Sequence, residues 1–242
     1  MTISTGARSE DAPPLPAGTQ RRADTGDHLV DPVRPRLRGW LHAAATPLTF
    51  VAATVLLAAA RTPAGVLAAL VYSATSLLLF AVSATYHLGR WPSRMRDLLA
   101  RWDHANIYLI IAGTYTPLAL LALHGSTQLW ALLLAWGGAA AGVVFRLRWL
   151  SAPRWLCTGL YLALGWVAVF FLPEAGHAAG LGPVALIMGG GLLYTVGGVV
   201  YGLRRPDPWP RWFGYHEVFH ACTIAAYAAQ YAGILLITTR MG

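Results

Sequence analysis

The chain has 242 residues, of which 56% are hydrophobic and 12% are charged, and its mean hydropathy is +0.51. A soluble domain of this length does not need so much apolar sequence, so the composition indicates a polytopic membrane protein. The formal net charge is +8, but the arginines lie between apolar segments and form no basic patch, which argues against nucleic-acid binding. Cys157 and Cys222 lie within apolar segments without a CxxC motif, so we expect them to pack in the interior.

Residues 1–39 differ in character from the rest of the chain. They are rich in Pro, Gly, Asp, Arg and Thr and show no hydrophobic periodicity. They also lack the compact apolar run and small-residue cleavage site of a signal peptide. We therefore predict a disordered cytoplasmic tail over 1–39, followed by a membrane domain over 40–242.

Seven apolar segments follow the tail, and each is close to the roughly twenty residues that a helix needs to cross a bilayer. Helices are expected because lipid offers no hydrogen-bond partners to the backbone, and the segments lack the alternation of barrel strands. The sequence therefore predicts an all-α polytopic membrane protein with seven transmembrane helices. The predicted spans are 40–60, 64–88, 104–124, 127–146, 154–172, 181–203 and 214–238.

The arginines are distributed unevenly between the two sides of these spans. Sixteen of the 18 lie in the tail and in the second, fourth and sixth connections, which leaves Arg61 and Arg240 for the other side. Basic connections stay in the cytoplasm, so we predict a cytoplasmic N-terminus, an outside C-terminus and an odd number of spans. The absence of lysine, with abundant Ala, Leu and Gly, suggests a GC-rich bacterial genome and hence a bacterial plasma membrane.

Several polar residues are expected at the cytoplasmic membrane face. With this topology the second span ends there at His87, the third begins there at Asp103, and the seventh begins there near His216. His220 lies one turn after His216 on the same helix face, and Ser83 lies one turn before His87. Polar groups in a bilayer are costly, so their convergence at one depth predicts a functional site.

The residue types in this layer are typical of a zinc site. Neutral imidazole is a preferred zinc ligand, and the three histidines His87, His216 and His220 would leave a fourth position for water. Zinc lowers the pKa of such water to about 7. We therefore predict Zn²⁺ as the cofactor, Asp103 as the group that holds the water and accepts its proton, and Ser83 as a group that orients water or substrate.

The other histidines have simpler interpretations. His42 and His104 share the predicted layer and are candidate partners of the metal ligands. For His42, however, a helix-capping or headgroup position is the preferred interpretation. Asp103 taken alone would be an ordinary acid in the first turn of a helix. His124 and His177 are expected at the outer membrane interface.

Four motifs contain these residues: RGWLH at 38–42, SATYH at 83–87, DHANIYLIIAGTYTP at 103–117 and FGYHEVFH at 213–220. In this order the set resembles the hemolysin III family, the bacterial branch of the progestin and adiponectin receptor superfamily. The resemblance implies a seven-helix fold with zinc near the cytoplasmic face, ligated by the three histidines, with Asp103 and Ser83 close to the metal-bound water. It also implies kinship with ceramidase-like hydrolases that cleave lipid amides.

Three functions remain open from the sequence. The first is a zinc-dependent hydrolase of a lipid amide or ester. The second is a metalloprotease, because His216, Glu217 and His220 match H-E-x-x-H, in which the glutamate is the general base. The third is a pore-forming, cytolytic or receptor-like protein with structural zinc, since cytolysis is reported for some members of the family. All three have the lipid bilayer as a partner.

Overall fold

The computed structural model describes residues 35–242, and within this range it contains eight α-helices, one short 3-10 turn and no β-strand. Residues 1–34 of the tail predicted over 1–39 lie outside this range. Residues 36–39 form a turn before α1, and the backbone amides of Arg36 and Leu37 donate to the carbonyls of Arg211 and Trp212. The helices are α1 (Trp40–Ala59), α2 (Pro63–Leu88), α3 (Ser93–Ala122), α4 (Gly125–Arg148), α5 (Arg154–Trp166), α6 (Leu172–Ala179), α7 (Leu181–Leu203) and α8 (Tyr215–Met241), with the 3-10 turn at Val167–Phe170 between α5 and α6.

Six of these helices are long and apolar enough to cross a membrane, namely α1, α2, α3, α4, α7 and α8. The α5 segment and α6 pass the same test together, with a bend of 52° between them, so they form a seventh span if the bent pair counts as one. The all-α polytopic fold is therefore confirmed. The cytoplasmic placement of the N-terminus stays a prediction.

The fifth predicted span, 154–172, is broken where a continuous helix was expected. Helix α5 ends at Trp166, four residues form the 3-10 turn, and α6 begins with Pro173 in its first turn. Proline has no backbone N–H and its ring collides with the preceding turn, so it starts a helix more readily than it continues one. The chain therefore changes direction at this point.

Helix α3 begins eleven residues before the predicted span, at Ser93. The added residues 93–103 are too polar to be recognised as membrane sequence, yet they include Arg, Leu, Met and Ala, which favour helix. Asp103 consequently lies about three turns inside the helix. The interpretation of Asp103 as a first-turn acid is therefore wrong.

The bundle is built around α3, which is the most buried of the six long helices. It packs against α2, α4 and α8, and more lightly against α5 and α6, while α1 joins α2 to α8 and α7 packs along α8. Helices α2 and α3 approach closely because Gly113 has no side chain, and a Cβ there would overlap Thr75. Much of the outer surface is apolar, as contact with lipid requires, with Leu48, Phe50, Trp130, Phe170, Leu181 and Leu203 among its exposed residues.

One end of the bundle gathers most of the arginines. We call it the arginine-rich end: it holds the first residues of α1, α3, α5 and α8 and the last residues of α2, α4 and α7. Contacts between these termini tie it together. The Arg36 amide donates to the carbonyl of Arg211 at 3.0 Å, Arg101 donates to the carbonyl of Leu147, and Arg154 donates to the Tyr215 hydroxyl at 3.4 Å.

Candidate metal centre

Three buried imidazoles meet at the arginine-rich end. His87 lies in the last turn of α2, and His216 and His220 lie in the first two turns of α8. One nitrogen from each ring lies within 4.8 Å of the others, an arrangement that could hold a metal ion. The pair on α8 shares a face because residues four apart lie one above the other.

The distances suit a common ligand. The Nε2 atoms of His87 and His216 are 3.2 Å apart. Two nitrogens bound at about 2.05 Å to one tetrahedral zinc ion lie roughly 3.3 Å from each other. The ring centroid of His220 lies 4.6 Å from that of His216 and 5.3 Å from that of His87. Zinc is therefore compatible with the spacing, although other metals that prefer imidazole are compatible as well.

The hydrogen bonding of His220 is also compatible with a metal ligand. Its ring is 2% exposed, and its Nδ1 atom has no hydrogen-bond partner in the part of the chain that the structure describes. A buried polar nitrogen without a partner costs free energy. Three imidazoles whose nitrogens lie this close together form a donor set that a cation would stabilise.

Asp103 and Ser83 lie beside the histidines, as the topology predicted. The Oδ2 atom of Asp103 is 3.7 Å from Nε2 of His87, and its side chain is 14% exposed. Ser83 is buried one turn before His87 on α2, and both Asp103 and Ser83 line the same cavity as His216 and His220. A carboxylate and a hydroxyl thus stand next to the imidazole group, where they could contact a ligand.

His42 lies deeper in the protein than the sequence suggested. It is 2% exposed and stacks on His220 with a centroid distance of 3.7 Å and an interplanar angle of 10°. Its edge meets Phe80, and neither of its nitrogens has a hydrogen-bond partner among the described residues. A headgroup or capping position for His42 is therefore wrong: its ring supports the orientation of His220.

The ring of His104 contacts its own helix and α7. Its Nδ1 atom is 2.6 Å from the carbonyl oxygen of Ala100, and its Nε2 atom is 3.5 Å from the Tyr201 hydroxyl. It lines the wall of the cavity beside Asp103 without being among the three clustered imidazoles. His104 therefore links α3 to α7 at the level of the site.

Glu217, the acid of the H-E-x-x-H pattern, has a structural position. It is fully buried, its Oε1 atom accepts from Nε of Arg38 at 2.5 Å, and its Oε2 atom accepts from the backbone N–H of Gly214 at 2.8 Å. Both oxygens are engaged, and Glu217 does not line the cavity. The arrangement speaks against a protease in which this glutamate is the general base. The partner of Glu217, Arg38, is the first residue of the RGWLH motif, but the sequence did not predict that the two side chains meet.

A long apolar cavity leads away from the histidines into the bundle. Its volume is about 150 Å³, and its wall is formed mainly by α3, α5, α7 and α8. From His220 it reaches Gln230, ten residues later on α8 and thus about 15 Å deeper. Thr114 donates to Oε1 of Gln230 at 3.3 Å. We did not single out this polar pair from the sequence, although glutamine in the middle of an apolar span was a signal.

A family model described as Haemolysin-III related matches residues 31–231. The chain belongs to this family. It is 30% identical over 167 residues to the hemolysin-3 homolog of Bacillus subtilis (strain 168), an alignment that covers 69% of this chain and 75% of that protein. It is 29% identical over 175 residues to hemolysin-3 of Bacillus cereus, which covers 72% and 76%.

The haemolysin-III match extends over all four motifs, from RGWLH at 38–42 to FGYHEVFH at 213–220. The resemblance predicted from those motifs is therefore confirmed, and it is consistent with the progestin and adiponectin receptor superfamily. In this haemolysin-III chain, the structure has six or seven apolar spans and a cluster of three histidines that could hold a metal ion.

Proposed function

We propose that this chain is a zinc-dependent membrane hydrolase that cleaves an amide or ester bond of a lipid. The observation that carries the proposal is the position of the three imidazoles, with Asp103 beside them, at the polar end of a long apolar cavity. Metal ligands and a carboxylate at the head of such a cavity suit a substrate with one polar, cleavable group and one hydrocarbon chain.

In this proposal His87, His216 and His220 hold the zinc ion, and His42 keeps the ring of His220 in place by stacking. A zinc ion supplies Lewis acidity, which makes water more acidic and a carbonyl carbon more electrophilic. Three protein ligands leave a position open for exchange, as catalytic zinc sites do.

Asp103 is the proposed general base. Its carboxylate accepts a proton from the attacking water as the new C–O bond forms, and returns that proton to the amine or alcohol as the old C–N or C–O bond breaks. Ser83 donates a hydrogen bond to the carbonyl oxygen. The hydrocarbon chain of the substrate lies along the apolar wall toward Thr114 and Gln230.

Metal content is the first test. Purified protein should contain one zinc ion per chain, and His216→Ala should lose most of it because zinc sites need all their protein ligands. His177→Ala is the matched control, because His177 is an exposed histidine on α6. Wild-type protein without stoichiometric metal, or His216→Ala protein with full metal content, would overturn the proposal.

The substrate is tested in cells. A deletion strain is complemented with wild type or with Asp103→Asn, and membrane lipids are compared by mass spectrometry. We expect one amide- or ester-linked lipid class to accumulate in the deletion strain and with Asp103→Asn, and to return to normal with wild type. Identical lipid profiles in all three strains, with full zinc content, would assign the metal a structural role.

Permeabilisation of membranes is a second candidate function, because the Bacillus cereus relative is named hemolysin-3. In this reading zinc is structural and the helices form a pore or a receptor. Release of a dye from liposomes by wild type and equally by Asp103→Asn would favour permeabilisation, whereas dye retention together with lipid turnover would favour the hydrolase.

We also propose that the arginine-rich end faces the cytoplasm of a bacterial plasma membrane, since basic connections are retained on that side. A C-terminal fusion to alkaline phosphatase should then be active, and a C-terminal fusion to a cytoplasm-dependent fluorescent protein should be dark. The opposite pattern would place the histidine cluster outside.

A further inference from the structure

Arg146 is a buried cation that the proposed reaction does not use. It lies in the last turn of α4 at the arginine-rich end, and only 3% of its surface is exposed. Burying a guanidinium group is costly unless its charge is compensated. A buried Arg146 therefore needs hydrogen-bond acceptors or a negative charge close to its guanidinium group.

The described residues give the Arg146 guanidinium few hydrogen-bond acceptors and no negative charge. Nη1 of Arg146 donates to the carbonyl oxygen of Leu150 at 3.4 Å and to the thiol sulfur of Cys157 at 3.2 Å. Its Nε atom is buried and has no hydrogen-bond partner within residues 35–242. No carboxylate in this range pairs with Arg146, in contrast to Arg38, which is paired with Glu217.

A small cavity lies against the buried guanidinium group. Its volume is about 20 Å³, which is room for one oxygen-sized group. A second arginine, two tyrosines, a histidine and a cysteine line it, and none of its described lining residues is acidic. These polar lining residues are Arg146, Arg154, Tyr161, Tyr201, His104 and Cys157.

The cavity lies beside a residue type that is common at the headgroup level of a bilayer. Arg154, on its wall, is half-buried, and the next residue, Trp155, is 74% exposed. Exposed tryptophans of membrane proteins favour the headgroup level of the bilayer. Both a lipid phosphate and a phosphate ion from solution could reach this position.

We propose that this cavity is a phosphate-binding site, in which one oxygen of a phosphate group reaches Arg146 and the rest of the group contacts Arg154. The guanidinium group of Arg146 favours a phosphate oxygen because a hydrogen bond between two charged groups is stronger than one between neutral groups, and Arg154 on the cavity wall can donate to the other oxygens. The free Nε–H of Arg146 is the donor that such a ligand would satisfy. The ligand is either the headgroup of an anionic phospholipid or inorganic phosphate.

Thermal unfolding of the full chain in lipid nanodiscs tests the proposal and distinguishes the two sources. One arm adds inorganic phosphate to nanodiscs of phosphatidylcholine, with gluconate keeping the ionic strength constant. The other arm replaces phosphatidylcholine stepwise with phosphatidylglycerol. We expect Tm to rise and saturate in one arm, because a ligand that binds only the folded state stabilises it.

Three variants decide whether Arg146 binds the phosphate. Arg146→Gln should weaken apparent binding about thirtyfold or more, because it removes a buried charged partner. Arg148→Gln is the matched control, with the same charge change at an exposed position of the same helix turn, and should bind as wild type does. If Arg146→Gln does not fold, Arg154→Gln is measured instead, with the same direction expected.

Several outcomes would overturn the site. These are no saturable rise of Tm in either arm, an equal rise in wild type and Arg146→Gln, or an equal loss in Arg148→Gln and Arg146→Gln. A purely structural Arg146 would show a lowered Tm in Arg146→Gln with or without phosphate. A binding residue shows its main loss only when phosphate or phosphatidylglycerol is present.

Discussion

Two carboxylates at the same end of the bundle have opposite surroundings. Glu217 is fully buried, and its two oxygens accept hydrogen bonds from Arg38 and from the backbone of Gly214. Asp103 lies 3.7 Å from Nε2 of His87 and lines the cavity that also contacts His216. An acid next to a histidine pair in the sequence therefore does not have to face the cavity: Glu217 does not line it, whereas Asp103, from another helix, does.

The largest effect is expected from Asp103→Asn. Loss of the proposed general base should lower turnover by about a hundredfold to ten-thousandfold, while zinc content should stay at the wild-type value. The measurement is conversion of the accumulated lipid by purified protein, together with zinc content. Equal activity in Asp103→Asn and wild type would remove Asp103 from the mechanism.

Glu217→Gln should lower stability and leave turnover unchanged, the opposite of what is expected for Asp103→Asn. Breaking a buried ion pair by removing one partner costs about 3 kcal/mol or more of stability, because the Arg38 guanidinium, whose side chain is 13% exposed, loses its contact with the Glu217 carboxylate. We therefore expect a clear fall in Tm, with turnover per folded molecule unchanged. Arg36→Gln is the control, since Arg36 is exposed and lies over the Trp212 ring. A stable but inactive Glu217→Gln protein would revive the protease interpretation.

Gly39→Ala tests whether the turn before α1, next to Arg38, helps to position the candidate metal ligand His87. Gly39 precedes α1 with a φ of 87°, and a Cβ there would lie 2.6 Å from Cβ of His87. The left-handed conformation alone costs a non-glycine residue about 1–2 kcal/mol. We expect a lower Tm and weaker zinc binding, measured by competition with a chelator.

Gly159→Ala is the control for that variant. Gly159 lies in α5, and a Cβ there would meet nothing within 4 Å. Alanine in place of a helical glycine should raise stability by about 0.5–1 kcal/mol. Zinc affinity should stay at the wild-type value. Equal zinc affinity in Gly39→Ala and wild type would show that the turn before α1 does not position His87.

Much of the fold could be predicted from the sequence, because its signals are local. Apolar length predicts a span, and the spacing of His216 and His220 puts both on one face of α8. The depths of His87 and Asp103 also follow, since consecutive spans must alternate in direction. The break after Trp166 was not predicted, because it does not change the apolar content of its segment. The early start of α3 at Ser93 was not predicted, because residues 93–103 are too polar to be recognised as membrane sequence.

The sequence by itself determined the all-α membrane fold, the family and the set of histidines that could share a metal. Only the tertiary structure decided the partners of the charged and aromatic groups at that end. Arg38 reaches Glu217 across 179 residues, His42 stacks on His220, and Arg146 lies without a carboxylate partner among residues 35–242. Such contacts depend on how helices pack side by side, and that packing leaves no periodic signal along the chain.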